Sequence, residues 1–301
     1  MLDYPAMRAA ALVVQTGSFE KAAQALHITP SAVSQRIKQL EERLGVVLIV
    51  RGNPCVATEK GEWLCRHMDH VGMLESELFR QLPALAEAGA GAAQERVTLN
   101  IATNADSLGT WFLDAVSKFT GSSDYLVNIA VDDQDHTVEW LRAGRVLAAV
   151  TAHDKPVQGC RVTPLGVLRY HATASSDFMT RHFAEGVTSA TLACAPGLTF
   201  NQKDRLQASW VKKVLGKEIA YPTHWLPSTD GFVKASLAGM GWGLNPVQLV
   251  AEHLREGRLM EVVPGTPLDI PLYWQVNRLA AERLAGLTDM VVGTARATLL
   301  V

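Results

Sequence analysis

A basic surplus, paired cysteines and membrane-length apolar runs are all missing from this 301-residue chain. Lys and Arg number 28 against 30 Asp and Glu, for a net charge of −2. That balance excludes a uniformly basic nucleic-acid coat. Cys55, Cys65, Cys160 and Cys194 are scattered with no C-x-x-C pair, which argues against a zinc or disulfide framework and for idle or buried thiols in a reducing cytoplasm. The opening Met1-Leu2-Asp3-Tyr4-Pro5 has no basic start followed by an apolar core. Neither a targeting segment nor a membrane partner is expected, and the location is cytoplasmic. A G-x-S-x-G elbow, a Walker loop and a dinucleotide fingerprint are also absent, so Ser107, His136 and Asp132 make no convincing triad. His67 and His70 stand three apart on a helix without further ligands nearby. No enzyme, metal or cofactor is therefore expected. At 48% hydrophobic residues, the chain has ample material for the cores of two or three domains.

What is present starts at Ser18. Ser18 is an N-cap type, followed by the helix formers Ala22, Ala23, Ala25 and Leu26. His27-Ile28 breaks that pattern, and Thr29-Pro30 restarts it, a capping hydroxyl before a proline that needs no donor at the first helical position. Val33, Ile37, Leu40 and Leu44 then recur at helical spacing and predict one buried stripe, ended by Gly45. Ser31, Ser34, Gln35 and Lys38 lie off that stripe with Arg36 beside them, and Thr29 and Pro30 stand at the helix entrance. Val46 to Val50 reads as a strand, Gly52-Asn53-Pro54 turns it, and Cys55 to Thr58 returns it, with Arg51 at the tip within reach of phosphate. A solvated helical hairpin is the alternative, but two short helices plus a wing point to double-stranded DNA, bound through Thr29, Pro30, Ser31, Ser34, Gln35, Arg36, Lys38 and Arg51. Residues 1–88 hold nine Lys/Arg against ten Asp/Glu, which argues against indiscriminate DNA binding. No acid lies within 27–40 to oppose Arg36 and Lys38, so positive potential is focused there.

Thr58 to about Leu82 predicts one long helix whose Leu64, Met68, Val71, Leu78, Leu82 and Leu85 nearly follow a heptad seam, with Glu75 interrupting it and Leu74 beside it. Pairing with a second subunit would bury that seam and present two recognition helices to two half-sites, while packing within the chain is the alternative. Pro83 and Ala88-Gly89-Ala90-Gly91-Ala92-Ala93 then read as a helix stop and flexible linker. Beyond it the texture alternates: strands at Val97–Ala102, Val127–Val131 and Ala148–Thr151, helices at Ser107–Phe119 and Val138–Ala143. A second block over Thr163–Pro267 repeats this through Leu198–Phe200, Leu206–Leu215 and Gly241–Leu244, and Leu268–Val276 returns to the first. Parallel βα units place ligands at the carboxyl ends of strands.

Ala22-Ala23, Ser31-Ala32-Val33-Ser34-Gln35, Ile37, Leu40-Glu41, Leu44-Gly45, Leu48 and Arg51 resemble the N-terminal domain of LysR-type transcriptional regulators. Two departures appear: Ile49-Val50 stands where an aromatic usually precedes the arginine, and Gly52-Asn53-Pro54-Cys55 is an unusual turn. Asn104-Ala105-Asp106-Ser107-Leu108, Thr110-Trp111-Phe112, Gly159-Cys160-Arg161, Gly231-Phe232, Gly241-Trp242-Gly243 and Pro271-Leu272-Tyr273-Trp274-Gln275 extend the likeness to the lysine/arginine-export regulators, the ArgP/LysG branch, over nearly the whole chain. The resemblance implies an α/β protein: a winged helix-turn-helix over 1–58, a linker and dimerisation helix over 59–91, and a two-lobed periplasmic-binding-protein-like (type II) effector domain over 92–301. Lobe 1 would span about 92–162 and 268–301, lobe 2 about 163–267. It further implies a homodimer or homotetramer that senses a basic amino acid and activates an exporter or related gene, with RNA polymerase as a candidate partner. An architectural DNA-bending protein, or a regulator of a different small molecule, are the alternatives.

The residues add their own chemistry. Asn104, Asp106 and Ser107 follow a strand and open a helix, where amides and a hydroxyl can hold an anion, or where Asp106 or Ser107 merely caps. Asp132 and Asp133, in the run Asp132-Asp133-Gln134-Asp135, are candidates to pair a guanidinium or ammonium, against the alternative of a solvated loop. Thr151 ends the third strand, and Phe200 with Asn201 ends another. Ser228 and Thr229 open a helix as carboxylate donors or plain caps. Of the aromatics Trp111, Trp242, Tyr273 and Trp274, Trp111 is the candidate cation–π wall.

Overall fold

In the computed structural model, which describes residues 2–82, 96–132 and 137–300, the chain forms two compact units, and no described helix is long and apolar enough to cross a membrane. The first runs to Thr98 and takes in Asp124–Leu126, and the second comprises Leu99–Ser123 and the chain from Val127 onward. Each is described by itself.

The first unit begins with α1 (Tyr4–Thr16), α2 (Phe19–Ala25) and α3 (Pro30–Leu44). Ser18 Oγ caps α2, and Thr29 Oγ1 accepts from the Ala32 amide to cap α3, with Pro30 at the first helical position. Gly45 ends α3 at φ +69°, a conformation that costs a residue with a Cβ. Val33, Ile37 and Leu40 are buried with Ala6, Ala9, Val13, Ala22 and Leu48 in one core. Leu44 departs from the expected stripe: it is 49% exposed, because the last turn of α3 projects past the small core. The wing is an antiparallel pair, β1 (Ile49–Val50) and β2 (Val56–Ala57). The 23-residue helix α4 (Glu59–Gln81) follows, capped by Thr58. Its Gly61 lies so close to the wing that an added Cβ would collide with the Leu48 carbonyl. Leu64 and Met68 pack on the winged-helix core, whereas Leu74, Leu78 and Leu82 are exposed. The expected seam is thus divided between intrachain packing and an open face. Pro83, Leu85 and residues 88–93 lie outside the described residues.

The second unit is organised by one mixed sheet. Its strands are β3 (Thr98–Asn104), β4 (Leu126–Asp132), β5 (Ala148–Thr151), the 16-residue β6 (Cys160–Ser175), β9 (Gly243–Pro246), β10 (Leu259–Glu261) and the 10-residue β11 (Leu268–Asn277). They run in the order β10-β6-β11-β5-β3-β4, with β9 also on β6. β3 and β5 pair in parallel, as the βα texture predicts, but β6 and β11 are antiparallel along their whole shared length. A ladder shift between Leu272 and Tyr273 faces Gly166, whose φ is +129°. The ribbon carries lobe 1 at one end and lobe 2 at the other.

In lobe 1, β3 leads into a helical turn, Ala105–Ser107, then a π-helical turn, Leu108–Phe112, and α5 (Leu113–Gly121). α6 (Thr137–Arg142) and α12 (Ala285–Thr298) complete it. In lobe 2, α7 (Ser176–Phe183) and α8 (Ser189–Cys194) precede β7 (Gly197–Thr199). β7 pairs in parallel with β8 (Thr223–Trp225). α9 (Leu206–Leu215), α10 (Thr229–Leu237) and α11 (Val247–Arg255) fill in around them.

Candidate functional site

α3 presents a polar outer face. Thr29, Pro30, Ser31, Gln35, Arg36 and Lys38 are exposed and Ser34 is half-buried. Thr29 Oγ1 lies 3.0 Å from Ser31 Oγ, so the capping residue also organises the first turn. Arg51 is drawn onto this face. Its guanidinium donates to Ser34 Oγ at 3.5 Å and sits over the Phe19 ring, 5.2 Å from the centroid. Phe19 thus supplies from α2 an aromatic partner that the wing sequence lacks. Glu41 Oε1 accepts from the amides of Leu48 and Ile49 at 2.7 and 3.2 Å, so a carboxylate inside α3 fixes the start of the wing. The expected focus of charge needs one correction: Lys38 forms an i,i+4 ion pair with Glu42 at 3.7 Å. Both partners are exposed, so the pair is weak, but it dilutes the positive potential of that face.

The second unit contains a cleft between its lobes, about 430 Å³ in volume when the open solvent at its mouth is included. Asp106 and Asp132 line it from lobe 1, and Phe200, Asp204, Gln207, Thr229 and Asn245 from lobe 2. Leu206, Phe232, Leu244 and Pro246 supply apolar wall. Each carboxylate is held by protein donors. Asp106 accepts from Tyr170 Oη at 2.8 Å and Thr229 Oγ1 at 2.6 Å. Asp132 accepts from Trp140 Nε1 at 3.1 Å. Asp204 accepts from the amides of Phe200 and Leu206 at 3.0 and 2.9 Å. No Lys, Arg or His is among the described residues that line the cleft. Such a cleft is chemically suited to a guest that brings positive charge and some apolar length.

Of the residues singled out from sequence, Asp106, Asp132, Phe200 and Thr229 meet at this cleft. Asp133, with Gln134, Asp135 and His136, lies outside the described residues. Ser228 caps α10 through the Gly231 amide and is not in the cleft wall. Thr151 is fully buried and receives a hydrogen bond from Gln275 Nε2 at 3.3 Å, so it belongs to the β5–β11 interior. Asn104 and Ser107 are buried and are not among the residues that line the cleft. Trp111 is corrected to a core residue: it is 1% exposed and packs edge-on against Phe112. Trp242 and Trp274 are likewise fully buried.

Sequence reasoning missed Asp204, Gln207 and Asn245. Signals for each existed. Asp204 stands just before the α9 pattern, as a helix-capping carboxylate does. Gln207 falls on the buried stripe shared by Trp210 and Val211, and Asn245 interrupts an otherwise apolar strand. A polar residue at a core position calls for a partner or a guest.

Comparison with known proteins fits this geometry. Residues 5–62 match the bacterial regulatory helix-turn-helix protein, lysR family, and residues 92–296 match the LysR substrate binding domain. The chain belongs to the LysR family. As a LysR-type protein it is a DNA-binding transcriptional regulator with an N-terminal helix-turn-helix and a type II periplasmic-binding-protein-like domain. It is 47% identical over 290 residues to the HTH-type transcriptional regulator LysG of Mycobacterium tuberculosis (strain ATCC 25618 / H37Rv), covering 96% of this chain and 92% of that protein. The crystal structure of ArgP from Mycobacterium tuberculosis shares 45% identity at a TM-score of 0.78, over 100% of this chain and 99% of that one. Full-length LysG from Corynebacterium glutamicum with bound effector Arg shares 36% identity at a TM-score of 0.68, over the whole of both chains. The C-terminal domains of a LysR family protein from Agrobacterium tumefaciens str. C58 are 87% identical, covering 68% of this chain and 99% of that one, with a TM-score of 0.67.

Proposed function

We propose that this LysR-family regulator senses lysine or arginine in the interlobe cleft and controls transcription of an amino-acid exporter or related genes. The observation that carries the reading is the cleft wall: Asp106, Asp132 and Asp204, each positioned by its own hydrogen-bond donors, with no cationic side chain among the described lining residues. A cationic side chain gains charge-assisted bonds there, and an acidic one meets like charge. The bound arginine of the Corynebacterium glutamicum relative supports the same reading.

DNA binding is assigned to Thr29, Pro30, Ser31, Ser34, Gln35, Arg36, Lys38 and Arg51 on the α3 face and wing, in domains drawn at 1–58, 59–91 and 92–301. The exposed Leu74, Leu78 and Leu82 of α4 favour pairing with a second subunit, which sets two recognition helices on two half-sites. Ligand-driven closure of the lobes then biases how the subunits pack and how the operator is bent. That coupling is no larger than the ligand's differential affinity for the open and closed states.

Calorimetric titration of the purified protein with L-lysine and L-arginine, with L-leucine and L-glutamate as controls, tests the reading. Saturable binding of the basic pair alone is expected. A folded protein that binds neither overturns the assignment of effector and leaves the DNA-binding domain untouched.

A further inference from the structure

Gln207 is 1% exposed, and neither its Oε1 nor its Nε2 has a hydrogen-bond partner among the described residues. It lines the cleft in the first turn of α9. An unpaired buried amide is costly to a fold. Gln207 nevertheless belongs to a cavity wall, where a guest can satisfy its amide.

The other polar groups of that wall are already committed or are acceptors. Thr229 Oγ1 donates to Asp106. Asn245 Nδ2 donates to Thr173 Oγ1 at 3.0 Å and Ser236 Oγ at 3.3 Å, and lies 3.4 Å from the Gly243 carbonyl. That carbonyl is an acceptor only and fixes which way the amide is turned. Asn245 Oδ1 is thereby left as an acceptor without a partner. Among the described lining residues, Gln207 Nε2 is the side-chain N–H without a partner.

An α-amino acid must place a carboxylate in this cleft beside three aspartates, and a carboxylate there needs a donor. We infer that Gln207 anchors the α-carboxylate of the ligand through Nε2, while Asp204 and Asn245 Oδ1 accept from its α-ammonium and Asp106 and Asp132 take the cationic end. The positive end of the ten-residue helix α9, whose first turn carries Gln207, favours the carboxylate at that place. Gln207 is therefore a specificity residue: it makes the cleft a receptor for basic amino acids and not for the amines left when their carboxyl group is removed. This inference rests on the cleft being the basic amino-acid site.

Arginine and agmatine separate the two. They share the guanidinium and differ by the carboxylate. The full-length protein, its Gln207→Met variant and its Asp132→Asn variant are titrated with each ligand. Met fills the volume of Gln, and no protein hydrogen bond among the described residues is lost with the amide. The expected result is that Gln207→Met weakens arginine about tenfold or more, as loss of a bond to a charged group does, and leaves agmatine unchanged. Asp132→Asn weakens both. The unliganded Gln207→Met protein also melts at a higher temperature than the native chain, because the unpaired amide is gone. Equal loss of arginine and agmatine in Gln207→Met, or loss of neither, overturns the carboxylate assignment while the basic-ligand reading stands. A native protein that binds neither arginine nor lysine overturns that underlying reading instead.

Discussion

Thr229 Oγ1 donates to Asp106 Oδ1 at 2.6 Å, tying the first turn of α10 in lobe 2 to the helical turn that follows β3 in lobe 1. Tyr170, on β6, holds the other oxygen of the same carboxylate at 2.8 Å. Removing the hydroxyl by Thr229→Val keeps the side-chain volume and leaves Asp106 short of a donor inside a wall that is 8% exposed at Thr229. A hydrogen bond to a charged group contributes about 1.5–3 kcal/mol. Urea unfolding of the variant is expected to show a loss within that range. An unchanged midpoint would show that the contact between the lobes contributes nothing to stability.

Arg51 and Gln35 are expected to fail differently on DNA. Arg51 lies beside Ser34, at the junction of the wing and α3, and its proposed contact is with phosphate. Arg51→Ala should weaken operator and unrelated DNA alike and lower the salt slope by about 1, whereas Gln35→Ala should cost about 1–3 kcal/mol on the operator alone. Fluorescence anisotropy across a salt series distinguishes them. A sequence-selective loss in Arg51→Ala would assign that residue to base reading.

Gly61 is required by close approach of backbone. Its added Cβ would strike the Leu48 carbonyl, which accepts from the Thr58 hydroxyl that caps α4, while the Leu48 amide donates to Glu41. Gly61→Ala is therefore expected to destabilise the first unit by about 1–3 kcal/mol, read as a lower melting midpoint together with weaker DNA binding. A neutral outcome would mean that α4 shifts freely relative to the wing.

Cys65 offers a prediction in pH. Burial, reinforced by the charges of Asp69 and Glu62, pushes its thiol up to about 11. The thiolate is the reactive form, so Cys65 stays neutral and unreactive through pH 8 and becomes reactive only as the pH approaches 11 in the folded protein. The exposed Cys194 should be alkylated first. Peptide mapping after brief iodoacetamide treatment at stepped pH checks the order, and rapid labelling of Cys65 at pH 8 would contradict it.

The N-terminal domain was legible because its signals are local. Thr29 with Pro30, Ser18 and Gly45 act on backbone groups within a few residues, and the structure places each where those rules put it. Leu44 misled because periodicity says which face a residue shares, not how far the core extends beneath it. Trp111 misled for a related reason. The π-helical turn over Leu108–Phe112 shifts the face on which side chains land and leaves no trace in apolar spacing. In the cleft, Asp106 and Asp132 were visible because strand ends in βα units point toward ligands. Gln207 and Asn245 come from lobe 2 elements whose meeting depends on the β6–β11 ribbon, a long-range pairing that no local pattern encodes.

That ribbon also has a meaning for how such proteins diverge. The chain enters lobe 2 along β6 and leaves it along β11, two neighbouring strands of one ladder. Lobe 2 is thus an insert whose chain enters and leaves through one ladder, and everything between the two strands can be exchanged as a block. Asp204, Gln207 and Asn245 would travel together in such an exchange, while Asp106 and Asp132 stayed behind. Two halves of one receptor could then be inherited, or engineered, separately.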